Sequence, residues 1–273
     1  MSELRCGRFV LPMDRPLIMG IVNLTPDSFS GDGFARQREA AIDQAWRMLE
    51  AGADFLDLGA ESSRPGALPT PEDEELARLL PMLDALRDCG KPLSVDTYKP
   101  AVMRAALDHG ADMINDIYAF RMAGAFDAVV RSDCALCLMH MQGEPQTMQQ
   151  QPEYADVTTE VRVFLGARVE AARLAGIADG RLLLDPGFGF GKTLAHNVDL
   201  YRTFPACIPE AFPVLVGVSR KSMLGAITGR PVHERLSASV VAAIVAVQRG
   251  ARIVRVHDVA ATRDALAVWE ALR

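Results

Sequence analysis

The sequence predicts a single (β/α)8 TIM barrel that occupies residues 1–273. Eight short apolar segments recur along the chain, stretches with helical periodicity lie between them, and almost every apolar segment ends in a chemically versatile polar residue. A length of 273 residues suits one such barrel, and no linker, repeat or low-complexity tract interrupts it. Because the active sites of TIM barrels lie at the carboxyl ends of the strands, the same pattern also nominates the site.

The predicted strands are short apolar runs, as expected for parallel strands that are buried on both faces. In chain order they are Leu17–Val22, Phe55–Leu58, Leu93–Val95, Met113–Ile114, Ala135–Met139, Leu182–Leu184, Val214–Val218 and Ile253–Val256. The polar residues that follow them are Asn23, Glu61 and Ser63, Asp96, Asn115 and Asp116, His140, Asp185, Ser219-Arg220-Lys221, and His257. We expect these side chains to gather at one end of the barrel.

The predicted helices fall between the strands, and most of them end at a glycine, the usual residue after a helix C-terminus. Those followed by glycine are Arg36–Ala51, Glu72–Cys89, Pro100–His109, Tyr154–Ala175 and His233–Arg249, and the others are Arg121–Val130, Leu194–Phe204 and Ala261–Leu272. For the second helix, Thr70 is the expected N-cap and Pro71 the first helical residue.

Composition excludes several classes of protein. A net charge of −6 with dispersed basic residues does not suit a nucleic-acid partner. The N-terminus does not resemble a signal peptide, and the longest apolar stretch, Leu236–Val247, is shorter than the ~20 residues that span a bilayer, so we expect no membrane partner. Five scattered cysteines predict a reducing, cytoplasmic location, and Cys134 and Cys137 are expected to be buried thiols rather than zinc ligands.

Asp96, Asn115 and Asp185 each end a strand and form the first candidate site. Together with His140 they could bind a metal ion, or they could act as acid and base. They would also suit a heterocycle that carries amino and amide N–H groups, because carboxylates accept hydrogen bonds and an amide both donates and accepts. Helix capping by Asp96 is the structural alternative.

The segment Asp185–Thr193 reads DPGFGFGKT. A phosphate-binding loop would need a glycine where Pro186 stands, so a nucleotide triphosphatase is rejected. Alternating glycine and phenylalanine residues instead indicate a loop that passes close beneath a flat ligand.

Two cationic segments follow the last two strands. Ser219-Arg220-Lys221-Ser222 could bind an anion or carbonyl oxygens, and the alternative is a solvated surface. Arg255 and His257 share a face by strand alternation, and phosphate sites in barrels often lie at these strands. The alternative is a packed histidine beside a helix-capping Asp258.

Two of the loops at the strand ends are long and rich in Gly, Pro, Ser and Asp, namely Asn23–Ala35 and Glu61–Thr70. Loops of this composition are typical of mobile lids.

Eight segments, taken in order, resemble dihydropteroate synthases. They are Asn23–Ser30, Glu61–Gly66, Ser94–Thr97, Ile114–Ile117, Leu138–Gly143, Asp185–Lys192, Ser219–Ser222 and Arg255–Asp258. The resemblance covers nearly the whole chain. It implies the condensation of 7,8-dihydropterin-6-ylmethyl diphosphate with 4-aminobenzoate, which yields dihydropteroate and pyrophosphate in folate synthesis. It also implies a homodimer and competitive inhibition by sulfonamides.

The resemblance implies a role for each matching residue. Asp96, Asn115, Asp185 and Lys221 would hold the pterin, and Asn23, Arg255 and His257 would hold the diphosphate and its Mg²⁺. Asn23 is the expected metal ligand, and Lys221, Arg255 and His257 are the expected catalytic residues. The remaining substrate-binding residues are Ser63 and Arg64, together with an aminobenzoate pocket formed by Phe29, Pro65, Phe190 and Ser222.

The chain departs from the family pattern in small ways. Ser63 stands where Thr is usual, Ala60 replaces a second Gly, and Gly31-Asp32-Gly33 replaces the common Asp-Gly-Gly. Two rival functions are a pterin-binding methyltransferase that transfers a methyl group to a corrinoid, and a non-catalytic pterin-binding paralogue. The methyltransferase would need neither long loop nor a diphosphate cluster, and the paralogue would be favoured by loss of Asn23, His257 or the loop residues. All of these features are present.

Overall fold

The computed structural model describes residues 3–24, 34–62, 66–209 and 212–273. The strands are β1 Glu3–Cys6, β2 Phe9–Pro12, β3 Leu17–Asn23, β4 Phe55–Gly59, β5 Leu93–Asp96, β6 Met113–Asp116, β7 Ala135–Met139, β8 Leu182–Asp185, β9 Leu215–Val216 and β10 Ile253–Val256. The helices are α1 Phe34–Glu50, α2 Glu72–Leu86, α3 Pro100–Asp108, α4 Ala125–Val129, α5 Val157–Leu174, α6 Leu194–Thr203, α7 Ser222–Thr228, α8 Leu236–Gln248 and α9 Val259–Leu272.

Strands β3 to β10 form one parallel sheet that closes into a barrel. Their order is β8-β7-β6-β5-β4-β3-β10-β9, and each paired strand is parallel to its neighbour. A parallel bridge between Leu184 and Val214 joins the two ends, supported by a 3.1 Å hydrogen bond from Leu184 N to Pro213 O. The TIM-barrel prediction is therefore confirmed.

Strand alternation divides the apolar side chains into an outer and an inner core. Leu56 and Leu58 of β4 belong to the large cluster between sheet and helices, whereas Phe55 belongs to a separate inner cluster. The inner cluster also contains residues from most of the other strands, namely Leu17, Met19, Met113, Ala135, Cys137, Leu183, Leu215 and Ile253. Because these residues lie towards the strand starts, the polar strand ends form the opposite, ligand-facing end.

An antiparallel hairpin, β1–β2, closes the amino-terminal end of the barrel. Its register pairs Glu3 with Pro12 and Cys6 with Phe9. Leu4, Cys6 and the following Met13 are buried in the inner cluster. The sequence pattern did not predict this hairpin, because each strand has only four residues and β2, which reads FVLP, has no alternation of polar and apolar residues.

Several helix boundaries differ from the predicted ones for local reasons. Helix α5 begins at Val157 rather than Tyr154 because Asp156 caps it by accepting a 3.2 Å hydrogen bond from Thr158 N. Helix α2 begins at Glu72 with Pro71 at the N-cap, so Thr70 is not the cap. Helix α8 begins at Leu236 because residues Val232–Glu234 form a separate 3-10 turn. Helix α7 was not predicted.

The cysteines are all free thiols, and four of them are buried, including Cys134 and Cys137, which were expected to be buried thiols. Within the described ranges, no helix combines the length and apolarity needed to cross a bilayer.

Candidate active site

The strand register sets the predicted polar residues side by side at the carboxyl end of the barrel. Asn23 pairs with Gly59, Gly59 with Asp96, and Asp96 with Asn115. On the far side, Asp185 pairs with Met139. The structure therefore brings Asn23, Asp96, Asn115 and Asp185 to one end, as predicted.

Asp57 is the buried centre of this end of the barrel, and it was not among the residues predicted from the sequence. Its Oδ2 accepts hydrogen bonds from Arg255 Nε at 2.6 Å and from Asn115 Nδ2 at 3.2 Å, and its Oδ1 accepts one from Ser94 Oγ at 2.6 Å. The side chain has no exposed surface. This carboxylate therefore fixes residues from β5, β6 and β10 at once.

Asp96 shares Arg255 with Asp57. Arg255 Nη2 donates to Asp96 Oδ2 at 3.0 Å. Burial raises the pKa of Asp96 to about 7, Arg255 opposes that rise, and Asp57 adds to it. The two carboxylates in turn raise the pKa of Arg255 above its usual value, although burial alone would lower it. Arg255 thus stays charged and links β10 to β4 and β5.

Asn115 carries an unused acceptor in a buried position. Its Nδ2 donates to Asp57, which fixes the orientation of the amide, and its Oδ1 has no hydrogen-bond partner among the described residues. Since buried polar atoms are nearly always hydrogen-bonded, an unpaired acceptor indicates a missing donor. A ligand N–H group would satisfy it.

Asp185 and Lys221 form the opposite wall of the site. Asp185 Oδ1 accepts a 2.7 Å hydrogen bond from Gly187 N. Lys221 Nζ donates to Phe188 O at 2.5 Å and lies 4.7 Å from the centroid of the Phe190 ring. Burial raises the pKa of Asp185 and lowers that of Lys221 to about 8, and each charge stabilises the other.

An apolar cluster lies beside these polar groups. It consists of Ile117, Met139, Met141 and Met148, with Tyr98, Tyr118 and Phe190 packed against it. Methionine side chains adapt well to flat or irregular ligands. Acceptors next to an apolar wall match a flat heterocycle rather than a sugar or a bare phosphate.

His257 follows β10 and is oriented by Ser219. Ser219 Oγ lies 3.2 Å from His257 N, which donates to it, and 3.0 Å from His257 Nδ1. When the Ser219 hydroxyl donates to Nδ1, the ring carries its hydrogen on Nε2. That tautomer is a hydrogen-bond donor suited to an anionic oxygen.

The surroundings of Arg220, Asp258 and His140 differ from what the sequence pattern suggested. The Arg220 guanidinium makes two bonds, 2.6 and 3.1 Å long, to the Asp258 carboxylate, so the two residues form an ion pair. Asp258 stands at the N-cap of α9 but makes no side-chain cap bond. His140 does not suit a metal site, because its Nδ1 is buried and bonded to Lys192 Nζ at 2.8 Å. Within the described ranges, no group of three or more His, Cys, Asp or Glu side chains is placed to hold a metal ion.

The remaining predicted site residues divide into two groups. Phe190 lies at the site, and Ser222 is an exposed residue at the start of α7. Phe29, Ser63, Arg64 and Pro65 lie outside the described residues.

One further signal for Asp57 was present in the sequence. A carboxylate interrupts the apolar run Phe55–Leu58, and strand alternation gives Asp57 the same face as Phe55, which is inside the barrel. A charged residue at such a position must have buried partners. The interruption should therefore have indicated a functional carboxylate.

Comparison with known proteins gives consistent results. The sequence model of the pterin binding enzyme family matches residues 19–257. The dihydropteroate synthase of Neisseria meningitidis serogroup B is 50% identical, and the match covers 98% of this chain and 96% of that protein.

Two solved structures are similar over nearly their whole length. Burkholderia cenocepacia dihydropteroate synthase complexed with 7,8-dihydropteroate has a TM-score of 0.93 at 56% identity, covering 100% of this chain and 96% of the other. Xanthomonas albilineans dihydropteroate synthase with 4-aminobenzoic acid has a TM-score of 0.93 at 50% identity, covering 99% and 98%.

Proposed function

The chain belongs to the dihydropteroate synthase family of pterin-binding enzymes, and we propose that it joins 7,8-dihydropterin-6-ylmethyl diphosphate to 4-aminobenzoate in folate synthesis. The observation that carries this proposal is the buried, unpaired Oδ1 of Asn115 on β6, a strand that lies in the sheet order between those ending in Asp96 and Asp185. A similar structure contains the reaction's product, and another contains one of its substrates.

We assign the pterin ring to Asp96, Asn115, Asp185 and Lys221. The ring carries an amino group and N–H groups, which match the carboxylates and the Asn115 carbonyl, and a ring carbonyl, which matches the Lys221 ammonium. Lys221 is mostly protonated near pH 7 because its pKa is about 8. The methionine-rich apolar cluster would pack against the face of the ring.

We assign the diphosphate to Arg255, His257 and Asn23. The reaction breaks the carbon–oxygen bond between the pterin methylene and the diphosphate, so negative charge grows on the leaving group. Arg255 and the Nε2–H of His257 would stabilise that charge by donating hydrogen bonds. Arg255 uses two of its five N–H groups on Asp57 and Asp96.

The residues at this end fit a magnesium ion that is bound mostly through substrate. Mg²⁺ prefers oxygen ligands and is usually held by one or two protein groups together with phosphate oxygens and water. Asn23 ends β3 with an exposed side chain that can supply one amide oxygen. When bound, Mg²⁺ would neutralise charge on the diphosphate.

The nitrogen of 4-aminobenzoate then forms a bond to the pterin methylene. An aryl amine is neutral near pH 7, so its lone pair can attack without a strong base, and the amine loses its proton to solvent afterwards. We therefore assign no residue as general base. Ser222, Phe190 and the loop residues Phe29, Ser63, Arg64 and Pro65 remain the proposed contacts for the second substrate and the diphosphate.

The proposal is tested by mixing the purified protein with both substrates and Mg²⁺ and measuring pyrophosphate and dihydropteroate. We expect equal amounts of both products, and none when either substrate is omitted. Pterin binding without turnover would support the non-catalytic rival, and methyl transfer from a methylated pterin to a corrinoid would support the methyltransferase rival.

We further propose that the enzyme is a cytoplasmic homodimer. The thiols of all five cysteines favour a reducing compartment. Helices α8 and α9 expose apolar side chains, with 61% of Val241, 59% of Val268 and 82% of Leu272 accessible, and such a surface favours association with a second copy. Sedimentation analysis of the parent and of Val241→Glu would test the dimer, and an unchanged mass would place the interface elsewhere.

A further inference from the structure

The segment between β8 and α6, residues 186–193, positions several groups of the site. It begins directly after Asp185, it carries the Phe188 carbonyl that accepts from Lys221, and it carries the Phe190 ring beneath Lys221 Nζ. Its conformation therefore determines how Lys221 and Phe190 are presented to a ligand.

Side chains from outside the segment form hydrogen bonds with several of its backbone N–H and C=O groups. Gly189 N donates to Asn197 Oδ1 at 2.7 Å, Gly189 O accepts from Gln149 Nε2 at 2.6 Å, and Gly191 O accepts from Tyr154 OH at 2.8 Å. Such groups would otherwise need water or regular secondary structure. The loop is thus held in one conformation by specific partners.

Lys192 supplies the central contacts. Its buried Nζ donates to Gly187 O at 2.8 Å, to Phe190 O at 3.1 Å, and approaches His140 Nδ1 at 2.8 Å. In its ammonium form Lys192 has three hydrogens, and three acceptors surround it, so each hydrogen has a partner. Burial lowers the pKa of Lys192 to about 7, and the charge of Asp185 opposes that fall. Lys192 therefore fastens both ends of the Gly187–Phe190 turn to the neighbouring strand.

His140 is the third acceptor and follows β7. His140 accepts a hydrogen bond through Nδ1 from the Lys192 ammonium, which can only donate. The His140 ring packs edge-on against Phe164, with the ring centroids 4.9 Å apart. Burial and the charge of Lys192 lower its pKa to about 2, which agrees with a permanently neutral ring. Lys192 contacts the site only through the backbone carbonyls of Gly187 and Phe190, and it has no assigned contact with substrate itself.

We propose that Lys192 and His140 act as a positioning pair that holds the Gly187–Phe190 turn, and through it Lys221 and Phe190, in the geometry that binds the pterin. The part concerning pterin rests on the proposed function, whereas the anchoring of the turn does not. The lysine of the Gly-Lys-Thr sequence at residues 191–193 thus stabilises the conformation of its own loop rather than binding a nucleotide phosphate.

The variants Lys192→Met, His140→Leu and His140→Asn separate the parts of the pair. Lys192→Met removes all three donors at nearly constant shape, and His140→Leu removes the acceptor. In His140→Asn, the amide oxygen stands near the former Nδ1 and restores the acceptor. Arg181→Met is the matched control, because Arg181 is also a buried cation close to β8. It precedes this strand, whereas Lys192 follows it, and it donates to Cys134 O and Val129 O at the opposite end of the barrel.

Amide hydrogen exchange of the unliganded proteins tests the anchor. We expect faster exchange within residues 186–191 in Lys192→Met and His140→Leu, near-parent exchange in His140→Asn, and no change there in Arg181→Met. Parent-like exchange in both Lys192→Met and His140→Leu would overturn the proposal, whatever the protein's activity. If Lys192→Met does not fold, the comparison of the two His140 variants decides the outcome.

Calorimetry tests the effect on the site. We expect 6-hydroxymethylpterin to bind about 10- to 100-fold more weakly to Lys192→Met and His140→Leu, since a misplacement of about 1 Å has effects of this size. Pyrophosphate with Mg²⁺ should bind as to the parent, and His140→Asn should recover most of the pterin affinity. Equal affinity in the leucine and asparagine variants would overturn the role of the acceptor. A parent that binds no pterin would instead count against the proposed function.

Discussion

Replacing Asp57 by asparagine should destabilise the protein and shift the pH dependence of pterin binding. The carboxylate accepts from Ser94, Asn115 and Arg255, and the residue is fully buried. Asparagine can keep its oxygen towards Arg255 and Asn115 and direct its amide towards Ser94, whose hydroxyl can accept as well as donate. The substitution therefore preserves shape and most hydrogen bonds but removes the charge.

The cost follows from the loss of charge. Hydrogen bonds to charged groups are worth about 1.5–3 kcal/mol, against about 0.5–1.5 kcal/mol for neutral ones, and removing a partner from a buried pair costs about 3–5 kcal/mol. Arg255 keeps Asp96 as a second partner, so we expect a loss of about 2–4 kcal/mol. The Tm should fall by roughly 5–10 °C.

The functional effect follows from the pKa of Asp96. Asp57 contributes to raising that pKa to about 7, so the Asp57→Asn variant should have an Asp96 that ionises at lower pH. A pterin N–H group needs the ionised carboxylate, and pterin affinity should therefore decline below about pH 7 in the parent but only at lower pH in the variant.

Urea unfolding and calorimetric titration with 6-hydroxymethylpterin across pH measure both effects. Asp112→Asn is the matched control, because Asp112 is also a buried carboxylate paired with an arginine, Arg8, but lies at the other end of the barrel. It should lower stability without moving the pH dependence. The reasoning would be refuted if the Asp57→Asn protein were as stable as the parent, or if its pterin affinity declined at the same pH as that of the parent.

Three other predictions concern Asp185, His257 and His140. Asp185→Asn should weaken binding of 6-hydroxymethylpterin by about 1–3 kcal/mol, because an amide N–H would face a ring N–H, and unchanged affinity in calorimetry would remove Asp185 from the pterin site. His257→Ala should weaken binding of the diphosphate substrate far more than binding of the pterin alone, and equal losses would place His257 on the ring. The His140 pKa is lowered from 6.5 to about 2, so between these values the unfolded chain binds a proton that the folded chain does not. The parent should therefore lose up to ~1.4 kcal/mol of stability per pH unit below about 6.5, relative to His140→Asn, and parallel pH profiles in urea unfolding would contradict a buried neutral ring.

The sequence predicted the barrel because the strands and the site share one pattern. A parallel strand buried on both faces reads as an apolar run, and the catalytic end begins where that run stops, as at Val95-Asp96 and Leu184-Asp185. Asn115 and Asp185 were found by this rule.

The elements that were missed have no such pattern of their own. Helix α7 has seven residues with a glycine inside it, too few for a helical period to emerge. Arg220 pairs with Asp258, 38 positions away in the sequence, and no local signal predicts that pair. The phosphate-loop interpretation of Lys192 was rejected from the sequence, but its bond to His140, 52 positions away, could not be predicted there. For Arg220 and Lys192, a contact with a residue distant in the sequence contributes to the role.

The glycines of the 186–193 segment restrict how this enzyme can evolve. Gly187 has a φ of +69°, and a Cβ there would stand 1.8 Å from His140 O, while a Cβ at Gly191 would stand 2.3 Å from Gln142 O. Neither position can accept a side chain without displacing the backbone of the neighbouring β7 loop. A compound that contacts the backbone at Gly187 or Gly191 would therefore meet positions that do not tolerate substitution, and selection for resistance there would have to act on other residues.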